Sequence, residues 1–378
     1  MKRILIITLE FPPQVGGIAT YVEQFAKSLP PEQVFVLAPK QKADKFFDEQ
    51  LAFKVVRKNL FWPVFIWPRW LKLFFITRKI IKQEKIEVLY IHHILPVGYL
   101  GWLMKKIFNI PYLVFSHGTD IEFGTKSPWK RKMLRAVATK AESLIFNSES
   151  LKNRLLKILP EFTNKSLVLY PCPEIDFAVV PGEEVISDLR GQLALEGKKI
   201  VLTISRIADG KGFPHLLRIL PKVLDSIPNL VWLVVGTGNK KDWFLEEVRK
   251  NGLQSVVRYL GEIPHDNLKP YYYLADLFVL LTHPDERREE GLGMVFLEAA
   301  ACGLPVVAGK SGGVEEAVIT GQTGLVVDIF KGDEGIVNSI VELLKNQDFA
   351  KQLGMNAQER IQTEFIWEKQ LKVIQKWL

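Results

Sequence analysis

Cysteine is nearly missing. Two thiols in 378 residues, Cys172 and Cys302, rule out a disulfide-stapled scaffold or a cysteine-built metal cluster. Far apart and set among apolar neighbours, they read as free buried thiols suited to a reducing cytoplasm. No apolar run approaches the roughly 20 residues of a membrane span. The opening Met1-Lys2-Arg3-Ile4 has the charge of a signal peptide for two residues only. The apolar run behind it meets Glu10 and two prolines without a small-residue cleavage site, so it reads as a first strand. Low-complexity tracts and short-period repeats are lacking. So is G-x-G-x-x-G, which removes a dinucleotide fingerprint. No D-x-D is present, so no essential metal is expected.

What is present suits two packed cores: 48% hydrophobic residues and 24% charged ones. Short β-branched runs alternate with helical patterns. They are 3–9, 34–38, 88–92, 112–116, 143–147 and 167–170, then 200–205, 230–235, 257–260, 277–281, 306–308 and 323–327. Such alternation predicts α/β domains whose parallel sheets are covered on both faces, with ligands at the carboxyl ends of the strands. Regularity lapses between Asp176 and Lys198, which places a linker there. The expected division is 1–180, 181–360 and an amphipathic tail within 361–378.

Charge is uneven. Residues 1–180 hold 27 Lys and Arg against 15 Asp and Glu (27 − 15 = +12); residues 181–378 hold 23 against 27 (23 − 27 = −4). The excess peaks in 54–85, with nine cations, one acid (Glu84) and seven Phe or Trp. A helix from Arg69 onward, with Leu71, Phe74, Phe75 and Ile76 on one side and Arg78, Lys79 and Lys82 on the other, suits the headgroup plane of a membrane. A core-packing helix with a solvated basic face is the alternative. No nucleic-acid fold signature accompanies the charge, so nucleic acid is not an expected partner.

The densest chemistry lies between Arg288 and Glu316. Glu290 and Glu298 flank Gly291-Leu292-Gly293, after which a helix starts near Met294. A helix start offers free N–H groups to an anion, and glycines let a ligand approach the backbone. The eight-residue spacing is roughly 12 Å if helical throughout, the span from sugar to ribose in a nucleotide sugar. Two more loops suit phosphate. Gly16-Gly17 follows the first strand, and Arg206 and Lys211 sit five apart on a glycine-containing loop after the strand at 200–205. His117 and Asp120 follow the strand at 112–116. Ser148 reads as a helix N-cap. His92-His93 reads as structural.

In order, Gly16-Gly17, His117-Gly118, Arg206 with Lys211, Gly261-Glu262-Ile263, Glu290 with Glu298 and Gly312-Gly313 resemble the motifs of the retaining glycosyltransferases of family 4, over almost the whole chain. The resemblance implies the GT-B fold: two Rossmann-like domains facing a central cleft, with a C-terminal helix crossing back to the first. It places His117 beside the transferred sugar, with Glu290, Arg206 and Lys211 as its catalytic partners. It places Gly16, Gly17, Ile263, Gly291, Leu292, Gly293, Met294, Val295 and Glu298 at the donor, Glu298 on the ribose and Ile263 near the base. Asp120 is a weaker, acceptor-side candidate. Phe11-Pro12-Pro13-x-x-Gly16-Gly17 and Gly291-Leu292-Gly293-Met294-Val295 resemble the phosphatidylinositol mannosyltransferase-like subgroup. That favours GDP-mannose over a UDP-sugar, and a lipid-linked or glycan acceptor at the inner face of the membrane. Tyr170-Pro171-Cys172-Pro173 departs from the subgroup's Pro-x-Gly turn. The alternatives are a UDP-sugar donor with a soluble or polysaccharide acceptor, a non-catalytic nucleotide-sugar-binding protein, or an epimerase or phosphorylase on the same fold. The absence of a cofactor-lysine motif weakens the phosphorylase.

Overall fold

A computed structural model describes residues 2–42, 44–285 and 289–378. Arg288, where the glutamate stretch begins in the sequence, therefore lies outside the described residues. The chain forms two compact units, Met1–Cys172 with Ile366–Leu378, and Pro173–Phe365.

The first unit is a seven-stranded parallel sheet: β1 (Ile4–Ile7), β2 (Val34–Pro39), β3 (Lys54–Lys58), β4 (Val88–His92), β5 (Tyr112–Ser116), β6 (Ser143–Phe146) and β7 (Ser166–Val168), in spatial order 3-2-1-4-5-6-7. The four side chains of β1 are all buried, as a central strand covered on both faces requires. Strand order reverses between β1 and β4. That switch is where an open α/β sheet leaves a crevice for a ligand. The helices Gly17–Lys27, Gly98–Phe108 and Pro128–Lys140 cover the faces. Ser148 caps the helix Glu149–Leu156 by accepting from Leu151 N at 3.1 Å.

The chain end belongs to this unit. After the short helix Trp367–Gln370, Ile374 and Trp377 are buried in the same cluster as Ile4, Phe25 and Tyr90. Tyr170 N donates to Gln370 Oε1 at 3.0 Å.

The basic interval resolves into unlike parts. Lys54–Lys58 is the edge strand, and its Arg57 is tied to Asp48 at 2.7 Å. The helix runs over Leu71–Glu84. Leu73, Thr77 and Ile80 are buried, with Phe74 and Ile76 packed against the core. Its apolar face is thus used internally, while Arg78, Lys79 and Lys82 are exposed. The exposed apolar surface is on the loop before it, where Phe65 is 82% and Trp67 83% accessible.

The second unit is a six-stranded parallel sheet: β8 (Lys199–Ile204), β9 (Leu230–Val235), β10 (Val257–Gly261), β11 (Leu277–Leu280), β12 (Val306–Gly309) and β13 (Leu325–Val327), in order 10-9-8-11-12-13. Its reversal falls between β8 and β11. The interval read as linker holds the helix Glu183–Gln192, which buries none of its residues. With no buried face, its sequence carries little helical periodicity to read. The helix Phe213–Ser226 follows β8 and buries Phe213, Leu216, Leu217, Leu220 and Val223, a 3–4 spacing that seats it on the sheet.

Candidate active site

In the second unit the loops after β8, β11 and β12 converge at the strand-order reversal. The close fit is enforced by glycines. Gly212 has φ +78°, and a Cβ there would sit 2.2 Å from Leu281 O. Gly312 has φ +52°, and its Cβ would sit 2.0 Å from Glu290 O. Glu290 is fixed at its backbone: its N–H donates to Ser311 Oγ at 3.1 Å, and its carbonyl accepts from Gly313 N at 3.1 Å.

Lys211 and Glu290 meet. Nζ donates to Oε2 at 2.5 Å, with about a fifth of each side chain exposed. Burial alone would raise the Glu290 carboxyl. The Lys211 ammonium outweighs it, helped by the Arg206 charge and the Gly291 N–H, and holds the group below the usual glutamate range. Arg206 is exposed and makes no ion pair among the described residues. Two cations and one carboxylate therefore share a loop cluster that can bind an anion and a hydroxyl together.

The helix predicted near Met294 runs over Met294–Ala301 with Gly293 as N-cap at φ +89°. Gly291, Gly293, Met294 and Val295 are half-buried, and Leu292 is buried. Only the second half of the Glu290–Glu298 interval is helical.

Glu298 faces inward, with 2% of its surface exposed. Tyr272 Oη donates to Oε2 at 2.7 Å, and His265 Nε2 lies 3.0 Å from Oε1. A carboxylate offers about four lone-pair sites, so two remain for ligand hydroxyls. Burial disfavours charge on His265, but Glu298, Glu174 and Asp266 outweigh it and push the imidazole up to about 9. Glu174, His265 and Asp266 bring potential ligand atoms within 4.8 Å of one another. A protonated imidazole cannot ligate, so any cation there competes with that proton. Ile263 is half-buried in the loop after β10, two residues before His265. Neither His265 nor Tyr272 was singled out in the sequence; only proximity to Ile263 pointed toward the first.

In the first unit, Gly16 and Gly17 begin the helix after β1. Glu10 Oε2 lies 3.8 Å from a Cβ built at Gly16, and no atom of the described residues lies within 4 Å of one at Gly17. The unit's own packing does not demand glycine at either position.

His117, at the end of β5, is buried to 8% exposure. Its Nε2 lies 3.0 Å from His92 Nδ1, and the two rings are 12° from parallel. Burial lowers its pKa to about 3, with the nearby His93 adding to the effect and Glu10 opposing it. Asp120 is taken up differently. Oδ2 accepts from Ile94 N at 2.8 Å; Oδ1 accepts from Ser116 Oγ at 2.8 Å and from Gly118 N and Ile121 N at 3.1 Å. Four donors fill the sites a carboxylate offers, so Asp120 shapes the loop that carries His117. Both cysteines are free and buried.

Residues 15–172 match the family described as Glycosyltransferase Family 4, and residues 185–360 match Glycosyl transferases group 1. The GDP-mannose-dependent alpha-(1-6)-phosphatidylinositol monomannoside mannosyltransferase of Mycolicibacterium smegmatis is 28% identical, over 93% of this chain and 92% of its own. The N-acetyl-alpha-D-glucosaminyl L-malate synthase of Bacillus anthracis is 24% identical, over 77% of this chain and 74% of its own. Among solved structures, Anabaena Alr3699/HepE in complex with UDP and glucose superposes with a TM-score of 0.83 at 21% identity, over 100% of this chain and 99% of that one. It shares the two-Rossmann fold.

Proposed function

Because the chain belongs to the family 4 glycosyltransferases, with a group 1 transferase domain as its second half, we propose that it moves mannose, with retention, from GDP-mannose to a hydroxyl of a lipid-linked acceptor at a membrane surface. The observation that carries the donor half is the cluster at the carboxyl ends of β8, β11 and β12. Lys211 is seated on Glu290 at 2.5 Å, and Arg206 is left exposed beside them. When a diphosphate arrives, the two cations meet charge that grows as the glycosidic bond breaks. Glu290, released from part of its hold on Lys211, accepts sugar hydroxyls. Glu298 accepts ribose hydroxyls with its remaining lone pairs. The acceptor hydroxyl attacks from the leaving-group face, and the departing phosphate takes its proton. No step is assigned to a metal.

Mannose and lipid rest on the relatives. Several carry GDP-mannose and a phosphatidylinositol mannoside in their names, at 26–29% identity over most of the chain. Two features of the first unit suit a membrane contact: the exposed Val64–Trp67 loop and, on the helix that follows it, the exposed Arg78, Lys79 and Lys82. No helix among the described residues is long and apolar enough to cross a bilayer. A UDP-sugar donor is the second possibility, since a structural neighbour was solved with UDP and glucose.

A thermal-shift panel decides between the donors. A nucleotide held at 100 times its Kd adds about 2.7 kcal/mol to apparent stability. GDP is expected to raise the melting temperature well above UDP at equal concentration; a larger shift with UDP overturns the mannose assignment.

A further inference from the structure

Among the described residues, His117 has one ring nitrogen occupied and one open, and the occupant is another histidine. β4 and β5 are neighbours, with His92 in register with Phe115. The His92 ring lies on Phe115 at 4.5 Å and 13°. It reaches His117 Nε2 through Nδ1 at 3.0 Å. Its own Nε2 is buried with no partner among the described residues. Between two neutral imidazoles only one nitrogen of the contact carries the proton. If that proton were on His117 Nε2, His92 would hold its own on the buried Nε2, an N–H stranded among aromatic rings. Orphaned N–H groups are the rarer and costlier vacancy. Placing the His92 proton on Nδ1 uses it in the contact and leaves only a lone pair stranded.

We propose that His92 is a positioning residue that fixes His117 as its Nδ1–H tautomer, so that His117 meets its ligand as a hydrogen-bond donor and not as a base. His117 Nδ1 has no partner among the described residues, in a side chain that is not fully closed off. Neutrality of the pair has a physical source. Burial, with His117 and His93 nearby, keeps His92 far below the usual imidazole range, and burial with His93 does the same for His117. His93 is shifted the other way: burial opposes charge there, but Glu10 and Asp120 outweigh it and raise the imidazole above its usual range, with Nε2 3.7 Å from Glu10 Oε1. A neutral donor at His117 fits a reaction in which the leaving phosphate collects the acceptor's proton. That last link rests on the proposed transferase function.

The test labels the histidines of the full chain with nitrogen-15 and reads their tautomers from long-range proton–nitrogen correlations. The chain has six histidines, and single His→Gln variants assign them. The expected result is Nδ1–H at His117 in the unliganded protein. It should persist in His92→Asn, whose amide N–H replaces the Nδ1 donor, and give way to a proton on Nε2 in His92→Asp, whose carboxylate has the same shape but only accepts. Turnover is followed as GDP released from GDP-mannose. His92→Asp should lower kcat roughly tenfold, the worth of one hydrogen bond, with His92→Asn restoring most of it. An Nε2–H tautomer at His117 in the unsubstituted protein, or an unchanged tautomer in His92→Asp, overturns the proposal. So does equal turnover in the Asp and Asn variants. The tautomer is read without substrate, so failure of the mannosyl assignment shows separately, as no GDP release from the wild-type chain.

Discussion

Truncating Lys211 to alanine removes the cation that holds Glu290. The two groups are 2.5 Å apart with about a fifth of each side chain exposed, so the loss is that of a partly buried pair. A fully buried charge stripped of its partner costs about 3–5 kcal/mol. Residual solvent, and Arg206 nearby, reduce this to roughly 1–3 kcal/mol. In a unit of this size that is a fall in melting temperature of roughly 2–12 °C. Turnover should suffer far more. Loss of one fixed donor at a developing anion costs about 10²–10³ in kcat. Glu290→Gln should lower kcat by orders of magnitude as well, while the fold survives. Chemical unfolding of Lys211→Ala, Glu290→Gln and the double variant gives the pair's coupling energy. It should exceed the 0.5 kcal/mol or so that separates coupled from independent sites. Additive stabilities would show that the pair is not a pair in solution. Near-normal turnover in both single variants would refute the assignment of the site.

Gly17→Ala tests whether that glycine serves a ligand. No atom of the described residues lies within 4 Å of a Cβ there, so stability should hold or rise by about 0.4–1 kcal/mol while GDP release falls; unchanged turnover would return the glycine to a simple turn. His265 should give the second unit a pH signature. Its folded pKa is raised from 6.5 to about 9, so its contribution, about 3 kcal/mol, is complete below pH 6.5 and lost as pH rises through 9. The melting-temperature gap between wild type and His265→Gln should narrow across that window, and a gap independent of pH would contradict the charged pairing with Glu298. Replacing Phe65 and Trp67 together with serine should weaken sedimentation with anionic vesicles at least tenfold without lowering the melting temperature, since both are more than 80% exposed. Equal sedimentation would remove the loop from any membrane contact.

The central strands were readable because they are buried on both faces. Val88–His92, Tyr112–Ser116 and Leu230–Val235 stand in the sequence as apolar runs closed by polar or glycine residues. The edge strand Lys54–Lys58 was not readable. None of its five residues is fully buried, so its composition is basic and its pattern is lost in the charge around it. The same holds for the helix Glu183–Gln192. At the site, the glycine turns and the Glu290–Glu298 spacing were visible because they are local. The partners of Glu298 were not, since His265 and Tyr272 reach it from 33 and 26 positions away. His92, read as structural from its sequence, stands against His117 only because β4 and β5 are neighbours.

The most direct measurement follows the sugar itself. GDP-mannose labelled in the mannose is incubated with the full chain and a polar lipid extract, and label is counted in the organic phase after partition. The expected result is label entering that phase with the wild-type chain and failing to do so with Glu290→Gln. Label that stays wholly in the aqueous phase, from a folded protein that GDP stabilises, would contradict transfer to a lipid-linked acceptor.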